Sequence, residues 1–287
     1  MQNERYYKSS NRADPLGLIA LVLVTAVAGS ALSILYLLLV RVIPIVQLSI
    51  LLTILFGGLL GLIGSLTCGI FKLRNRLLTI IASVAGILIY TYVKWSLFSS
   101  FALDESYFTL LTGFLTSPTA LLEAIALINK YGTWSFGRDS TTAVTGVILA
   151  IIWIIEFLIY AIIHLLVVND KTNTPFIEKE NNWAKKSDVR FYCRDFVLNA
   201  HLSEIENDPN VLLSYLDDPQ VVGVGQHIEI ELFHSSDFTE NYIDIIRVVI
   251  TNAARNNKQE TKLVKKLAVN REFAQKLFAQ HDMSLPA

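Results

Sequence analysis

The stretch that decides the fold is Leu16–Val40, which reads LGLIALVLVTAVAGSALSILYLLLV and contains no charged side chain. At about 1.5 Å per residue of α-helix, its 25 residues exceed the roughly 30 Å hydrocarbon core of a bilayer. A cleaved secretory signal has an apolar region of only about 7–15 residues, and this run continues well past its faint cleavage-like sequence, Ala26-Val27-Ala28. We therefore interpret the stretch as an uncleaved transmembrane helix.

Three further apolar runs follow Arg41. The second of these carries Lys94 near its end, and the last is interrupted by Glu156 and His164. Because each run is long enough to cross the hydrocarbon core, the sequence predicts a four-helix transmembrane bundle. We place a cytoplasmic N-terminal segment over residues 1–15 and the transmembrane domain over residues 16–168, with spans at about 16–40, 42–70, 77–98 and 142–168.

The composition agrees with a membrane domain joined to a water-soluble one. The 287 residues are 53% hydrophobic and 17% charged, whereas a soluble globular domain has about 45–50% and about 25%. These values exclude a disordered chain, a collagen-like chain and a basic nucleic-acid-binding protein, and 2 cysteines exclude a disulfide scaffold or a multi-cysteine zinc module. Residues 1–168 carry 10 Lys and Arg against 7 Asp and Glu, whereas residues 169–287 carry 14 against 18. The two parts therefore differ in the sign of their net charge.

The distribution of basic residues predicts the orientation of the spans. One side holds most of them, namely Arg5, Lys8, Arg12, Lys72, Arg74, Arg76, Lys171, Lys179, Lys185 and Lys186. The opposite side has Arg41, Lys130 and Arg138. By the positive-inside rule, both termini face the cytoplasm, in an inner or plasma membrane. Cys68 and Cys193 are then expected to be reduced and unbridged.

The loop between the third and fourth spans, residues 99–141, is expected to contain a short helix on the outer side. Ser117 and Pro118 form a helix start, apolar residues then recur at helical spacing, and Gly132 ends the segment. A helix over residues 118–131 is too short to span a bilayer. It is either an interfacial helix, with Glu123 and Lys130 toward water, or a re-entrant segment that lines a pore.

The remainder of the chain is interpreted as a polar linker over residues 169–188 and a cytoplasmic domain over residues 189–287. Residues 226–234, QHIEIELFH, alternate between polar and apolar, which predicts a strand with Ile228, Ile230 and Leu232 facing a core. Further strands are expected at about 189–193, 243–251 and 262–269, and then a helix capped by Asn270. Strands joined by short loops favour an antiparallel meander, so we expect a small α+β domain with helices at its ends.

Glu156 is the most informative charged residue, because an ionised carboxylate near the middle of a span costs several kcal/mol. Tyr160 and His164 follow at intervals of four residues and lie on roughly the same helix face. This polar intramembrane face suits a proton path or a polar substrate site. It also suits a neutral carboxyl group that hydrogen-bonds to a neighbouring span and stabilises the bundle, or that contacts a partner subunit. The candidate donors are Thr25, Thr53 and Ser83, and we expect Lys94 to lie well above Glu156 and to extend toward the lipid headgroups.

Small residues recur at helical spacing in three of the predicted spans. Gly57, Gly61 and Gly64 form a stripe on the second span, echoed by Gly29 on the first and Gly86 on the third. Such stripes let helix backbones approach closely, where lipid supplies no hydrophobic driving force. They predict a tightly packed bundle, either within one chain or across a homodimer.

No enzymatic motif occurs in the sequence. HExxH, GxSxG, the P-loop, CxxC and a pair of intramembrane aspartates are all missing. Gly223-Val224-Gly225 precedes a predicted strand instead of following one, which argues against a dinucleotide-binding loop. His227, Glu229 and Glu231 are too far apart along one strand to hold a metal ion without further ligands. We therefore predict no catalytic residue, no metal site and no cofactor.

These observations favour a non-enzymatic membrane anchor or scaffold whose cytoplasmic domain binds a protein partner. The alternative is a small oligomeric transporter or channel component that uses the face of Glu156, Tyr160 and His164. The expected partners are the lipid bilayer, a cytoplasmic protein and, in an oligomer, a second copy of the chain. The slightly acidic tail argues against nucleic acid. Its basic cluster is expected on an exposed strand, at Lys258, Lys262, Lys265 and Lys266.

Overall fold

The computed structural model of the protein describes residues 5–42, 46–103, 107–132, 134–135, 143–191, 202–216, 226–252 and 257–284. The chain forms two compact units. One contains Ser10–Asn173, and the other combines Met1–Ser9 with Thr174–Ala287. The first unit is mainly helical, and the second is built on a β-sheet.

The described helices of the first unit are α1 Pro15–Val42, α2 Val46–Ile70, α3 Arg76–Leu103, α4 Tyr107–Thr116, α5 Pro118–Tyr131 and α6 Gly146–Asn173. Four of them, α1, α2, α3 and α6, are long and apolar enough to cross a membrane. Large apolar side chains cover their outward surfaces, and Val27 and Val147 are 69% and 76% exposed. Such a surface is typical of helices that face lipid. The prediction of four helices with the length and composition of membrane spans is confirmed.

The described residues between α3 and α6 form two helices instead of the single one that was predicted. The chain bends by 119° between α4 and α5. Ser117 caps α5, because its hydroxyl oxygen accepts the N–H of Ala120 at 3.4 Å, and Gly132 ends α5 with a φ of 78°. The buried side of α5 is apolar, formed by Leu121, Ala124 and Ile128. A two-residue ladder, β1 Trp134–Ser135 with β2 Ala143–Val144, precedes α6.

Basic residues from distant parts of the sequence meet at one end of the helical unit. The Arg12 carbonyl accepts the backbone N–H of Arg74 at 2.9 Å, which joins the start of α1 to the turn between α2 and α3. Arg76 Nε donates to Asn169 Oδ1 at 2.6 Å, which brings in the end of α6. Arg12, Arg74 and Arg76 therefore lie at the same end of the bundle, and all three are among the basic residues that predict its orientation.

The second unit contains a four-stranded antiparallel sheet. Its strands are β5 Lys185–Phe191, β6 Gln226–His234, β7 Asn241–Asn252 and β8 Asn257–Val269, paired in consecutive order. The described part of this unit also contains three helices, α7 over residues 202–207, α8 Asn210–Leu216 and α9 Arg271–Ser284. The prediction of a small α+β region with antiparallel strands is confirmed.

Residues 176–188, expected to form a linker, belong to this folded unit. β3 Phe176–Ile177 pairs with β4 Asn182–Trp183, and β5 begins at Lys185. Phe176 and Ile177 are 2% and 0% exposed. Two buried apolar side chains therefore anchor a segment whose overall polarity suggested a solvated connection.

The two faces of the sheet have different environments. Ile228, Ile230 and Leu232 are buried on the core face, as the alternation predicted, against a cluster that includes Phe273 and Leu277 of α9. Phe233 points to the opposite face and is nevertheless only 3% exposed. It packs there with Ile177, Ala184 and Tyr242, so the short β3–β4 hairpin covers part of this second face.

The N-terminal segment, which we expected to be separate, pairs with β8. Ala268 donates its N–H to the Arg5 carbonyl at 2.7 Å, and Tyr7 donates its N–H to the Lys266 carbonyl at 2.9 Å. Tyr6 lies opposite Leu267 in an antiparallel bridge. The segment before α1 and the segment after α6 therefore belong to one folded unit.

Candidate functional site

Polar side chains from α1, α3 and α6 meet inside the helical unit, and we call Tyr36, Lys94, Glu156 and Tyr160 the polar cluster. Glu156 lies ten residues after Gly146, where α6 begins, and Lys94 lies nine residues before Leu103, where α3 ends. At about 1.5 Å per residue, both side chains are roughly 15 Å from the same end of the bundle. The expectation that Lys94 lies well above Glu156 is therefore wrong.

Tyr36 is the hydrogen-bond partner of Glu156. The Tyr36 hydroxyl donates to Glu156 Oε1 at 3.1 Å, and the two side chains are 4% exposed. The predicted donors do not serve Glu156. Thr53 donates to the Ser49 carbonyl at 2.8 Å, and the buried hydroxyls of Thr25 and Ser83 have no hydrogen-bond partner in the described part of the chain. Tyrosine is longer than the predicted donors threonine and serine, and this length brings the Tyr36 hydroxyl to the carboxylate.

Lys94 stays inside the bundle because aromatic rings surround its ammonium group. Its Nζ lies 4.9 Å from the centroid of the Tyr36 ring and 5.2 Å from that of Tyr160. Ring faces attract a cation more strongly where water is excluded. Among the residues that the structure describes, Lys94 forms no ion pair, so Lys94 and Glu156 are neighbouring charges that share Tyr36 and do not touch.

The polar cluster does not continue along α6 beyond Tyr160. The Tyr160 hydroxyl shares a 2.6 Å hydrogen bond with Thr91 Oγ1, which ties α6 to α3. His164 is 0% exposed, and neither of its ring nitrogens has a hydrogen-bond partner within the described ranges. The structure therefore brings Glu156 and Tyr160 into one cluster, and it leaves His164 as a separate buried side chain.

The glycines of the predicted stripes lie at contacts within the chain. A Cβ atom added at Gly57 would lie 2.9 Å from Tyr160 Cα, and one at Gly64 would lie 2.9 Å from His164 Cε1. Gly61 faces Val167 in the same way, which places all three glycines between α2 and α6. A Cβ atom added at Gly29 would lie 2.6 Å from Tyr90 Cγ, and one at Gly86 would lie 2.8 Å from Thr25 Cβ. These two glycines therefore lie between α1 and α3. These close approaches hold α2 against α6 and α1 against α3, and so position the polar cluster.

A small cavity adjoins the polar cluster. Its volume is about 20 Å³, enough for about one water molecule. Aromatic side chains complete its lining, and the full set is Tyr36, Lys94, Trp95, Phe98, Trp153, Glu156, Phe157 and Tyr160. The cavity can hold a water molecule or a small polar group of a ligand between an ammonium and a carboxyl group. It is too small to pass a hydrated solute.

In the second unit, charged side chains form a network around Asp244, which is 1% exposed. Lys262 Nζ lies 2.8 Å from Asp244 Oδ2 and 3.0 Å from Glu231 Oε2, and Lys266 Nζ lies 3.1 Å from Asp244 Oδ2. A bulge at Lys266, where φ is 55°, frees the backbone N–H of that residue, which donates to Asp244 Oδ1 at 2.7 Å. Two lysines of the predicted basic cluster are thus bound within the sheet.

The network alters proton binding by its members. Burial raises the pKa of the Asp244 carboxyl, but the hydrogen bond from Lys262 and the charge of Lys266 outweigh it and hold this pKa below its ordinary value. Burial lowers the pKa of Lys262, but hydrogen bonds to Asp244 and Glu231 outweigh it and raise that pKa overall. Burial lowers the pKa of Lys266. These shifts are those of a structural ion-pair network.

Several candidate residues lie outside the described part of the chain, namely Cys193, Gly223, Val224 and Gly225, as do the side chains of His227 and Lys258. Among the described residues, no group of three or more His, Cys, Asp or Glu side chains is placed to hold a metal ion. Glu231 instead binds Lys186 Nζ at 2.8 Å.

Comparison with protein-family models, curated proteins and solved structures gives no match to this chain. The structure itself supplies four helices that are long and apolar enough to cross a membrane.

Proposed function

We propose that the protein is a non-enzymatic membrane anchor, with four spans in the inner or plasma membrane, whose second unit binds a protein partner on the cytoplasmic side. The observation that carries this proposal is the pairing of the N-terminal segment with β8. It makes the chain on both sides of the helical unit part of one folded body. A domain tethered at two points loses more orientational freedom than a domain on one linker, which suits a scaffold that presents a binding surface near a membrane.

The environment of Glu156 supports an anchor. Tyr36 satisfies its carboxylate, aromatic rings enclose the neighbouring ammonium, and the adjoining cavity holds about one water molecule. Tyr36 contacts both Glu156 and Lys94, and these contacts tie α1, α3 and α6 together. The proposed cytoplasmic orientation of the second unit is supported by the basic residues that meet at one end of the bundle.

The test is affinity purification of the full chain from membranes, compared with a chain cut after Asn173. We expect a partner at a fixed stoichiometry with the full chain and its loss from the truncated one. Equal recovery of the same proteins with both chains, or self-association alone, would contradict the binding role. Analytical ultracentrifugation in detergent distinguishes self-association from a second protein.

A small transporter or channel component remains the second candidate, because an intramembrane Lys94 and Glu156 are the kind of residues that transport sites contain. Glu156→Gln keeps the shape of the side chain and removes its charge. If this variant lowers proton or solute flux into proteoliposomes while the protein stays folded, the result favours a transport role over an anchor. Unchanged flux excludes it.

A further inference from the structure

An open groove lies between α5 and α6, directly beside the polar cluster. Its volume is about 740 Å³, within the range of pockets that hold drug-sized ligands. Apolar side chains such as Leu122, Ile125 and Val147 line it. In a membrane-embedded bundle, this composition suits a hydrocarbon chain.

Three side chains, Trp95, Trp153 and Phe157, line both the groove and the 20 Å³ cavity of the polar cluster, and we call them the aromatic wall. These side chains lie between the apolar groove and the ammonium and carboxyl groups of the polar cluster. A ligand that lies in the groove can therefore place one small polar group at the cluster after a change of side-chain rotamer in the wall. Exposed aromatic residues change rotamer within picoseconds to nanoseconds, and buried ones more slowly.

Two hydrogen-bond donors at the cavity have no acceptor among the described residues. The Trp153 Nε1–H is buried without a partner. The Lys94 ammonium contacts the ring faces of Tyr36 and Tyr160 instead of an oxygen atom. A buried donor without an acceptor costs free energy, which a ligand oxygen would recover. The cavity thus favours a ligand with an acceptor oxygen.

The size and charge of the cavity narrow the choice of head group. A volume of about 20 Å³ suits a carboxyl group better than a phosphodiester. A protonated carboxyl group adds no net charge beside Lys94 and Glu156. Its carbonyl oxygen would accept from Trp153 and Lys94, and its O–H would donate to the Glu156 carboxylate.

We propose that the groove and the cavity together bind a long-chain fatty acid, with its hydrocarbon chain in the groove and its carboxyl group at Lys94 and Trp153. The site is independent of the partner-binding role of the second unit. Its ligand would enter sideways from the lipid phase, because the groove opens on the outer surface of the helical unit.

The test uses the full chain in phosphatidylcholine nanodiscs, with Trp134 and Trp183 changed to Phe so that Trp95 and Trp153 report. Dibromostearic acid quenches tryptophan fluorescence at close range, and its methyl ester has the same chain without the acidic O–H. We expect saturable quenching by the acid, with an affinity about tenfold above that of the ester. Equal, non-saturable quenching by both ligands, which reflects simple partition into lipid, would overturn the proposal.

Three single-residue variants test where the ligand binds. Trp153→Phe keeps an aromatic wall and removes one donor, so we expect about fivefold weaker binding of the acid, read from Trp95. Ala150→Phe fills the groove and should abolish saturable quenching, whereas Ile81→Phe, on an exposed surface of α3, should leave it unchanged. Unchanged binding by both Trp153→Phe and Ala150→Phe would place the ligand elsewhere and refute the site.

Discussion

The Tyr36 hydroxyl donates to Glu156 Oε1 over 3.1 Å, and this hydrogen bond connects α1 to α6 across 120 positions of sequence. The Lys94 ammonium, from α3, contacts the ring of the same tyrosine at 4.9 Å. Tyr36 thus contacts both charged groups of the polar cluster, one through its hydroxyl and the other through its ring. One side chain therefore holds an intramembrane acid and base near each other.

Replacing Tyr36 with Phe removes the donor and keeps the ring. Because intramembrane hydrogen bonds contribute roughly 0.6–2 kcal/mol, we expect the free energy of unfolding in mixed micelles to fall by about 1 kcal/mol. Tyr131→Phe is the matched control, since Tyr131 is 67% exposed, and it should cause no measurable change. Equal stabilities of the two variants would contradict the role given to the Tyr36–Glu156 hydrogen bond.

Adjacent glycines on α2 give a paired test of helix packing. Gly57→Ala would place a methyl group 2.9 Å from the Tyr160 backbone, and we expect it to destabilise the bundle by roughly 1–3 kcal/mol. Gly58 has no atom within 4 Å of an added Cβ, so Gly58→Ala should be neutral or stabilise the helix by up to about 1 kcal/mol. Unfolding in mixed micelles measures both. If Gly58→Ala proved the more damaging change, the assignment of the α2–α6 interface would be incorrect.

The pairing of the N-terminal segment with β8 is testable by hydrogen exchange. The Ala268 N–H bonds to the Arg5 carbonyl at 2.7 Å, so deleting residues 2–8 should expose this amide to water. We expect faster exchange in a peptide covering residues 266–269. A peptide covering residues 226–234, in the interior of the sheet, serves as the control and should keep its rate. Unchanged protection at both places would show that the segment does not pair with the sheet.

Asp244 should make the stability of the sheet depend on pH. Its pKa is lower in the folded protein than in the unfolded chain, so its stabilising contribution is complete above the unfolded value of about 3.9 and is lost as the pH falls through the folded value. Asp244→Asn should remove this dependence. It should also destabilise the sheet by about 2 kcal/mol, less than a fully buried pair, because Lys262 is 41% exposed and solvent screens it.

Hydrogen exchange of β7 and β8 between pH 3 and pH 7 measures this effect, once the intrinsic pH dependence of exchange is subtracted. Glu272→Gln is the control, because the Glu272–Lys276 pair lies on the surface of α9 with side chains 75% and 58% exposed. We expect no measurable change from it. A sheet whose stability is independent of pH in the parent protein would contradict the account of Asp244.

The spans and the sheet could be predicted from the sequence because each depends on local pattern. The apolar run around Val27 and the alternation of Ile228, Ile230 and Leu232 need no knowledge of distant residues. Their positions in the structure agree with these patterns. Ser117 and Gly132 likewise mark the ends of α5 through local capping.

Features that depend on contacts between distant residues could not be predicted in this way. The sequence indicates that Glu156 needs a partner, but its local pattern does not show that the Tyr36 hydroxyl reaches the Glu156 carboxylate or that Lys94 lies at the same depth. The pairing of Arg5 with Ala268 leaves no periodic signal, because Arg5 lies in a short polar stretch and its partner is at the far end of the sequence. The charge pairs of Asp244 arise from a bulge at Lys266, which the strand pattern alone does not reveal.

The most direct test of the anchor is the side of the membrane on which each end of the chain lies. Single cysteines at Lys8, Gln275 and Lys130, each exposed, can be introduced into a chain whose Cys68 and Cys193 are replaced by serine. A membrane-impermeant maleimide is then applied to intact and permeabilised cells. We expect labelling at Lys130 in intact cells, and at Lys8 and Gln275 only after permeabilisation. If the cysteines introduced at Lys8 and Gln275 were labelled from opposite sides of the membrane, the prediction that four spans place both ends of the chain in the cytoplasm would be wrong.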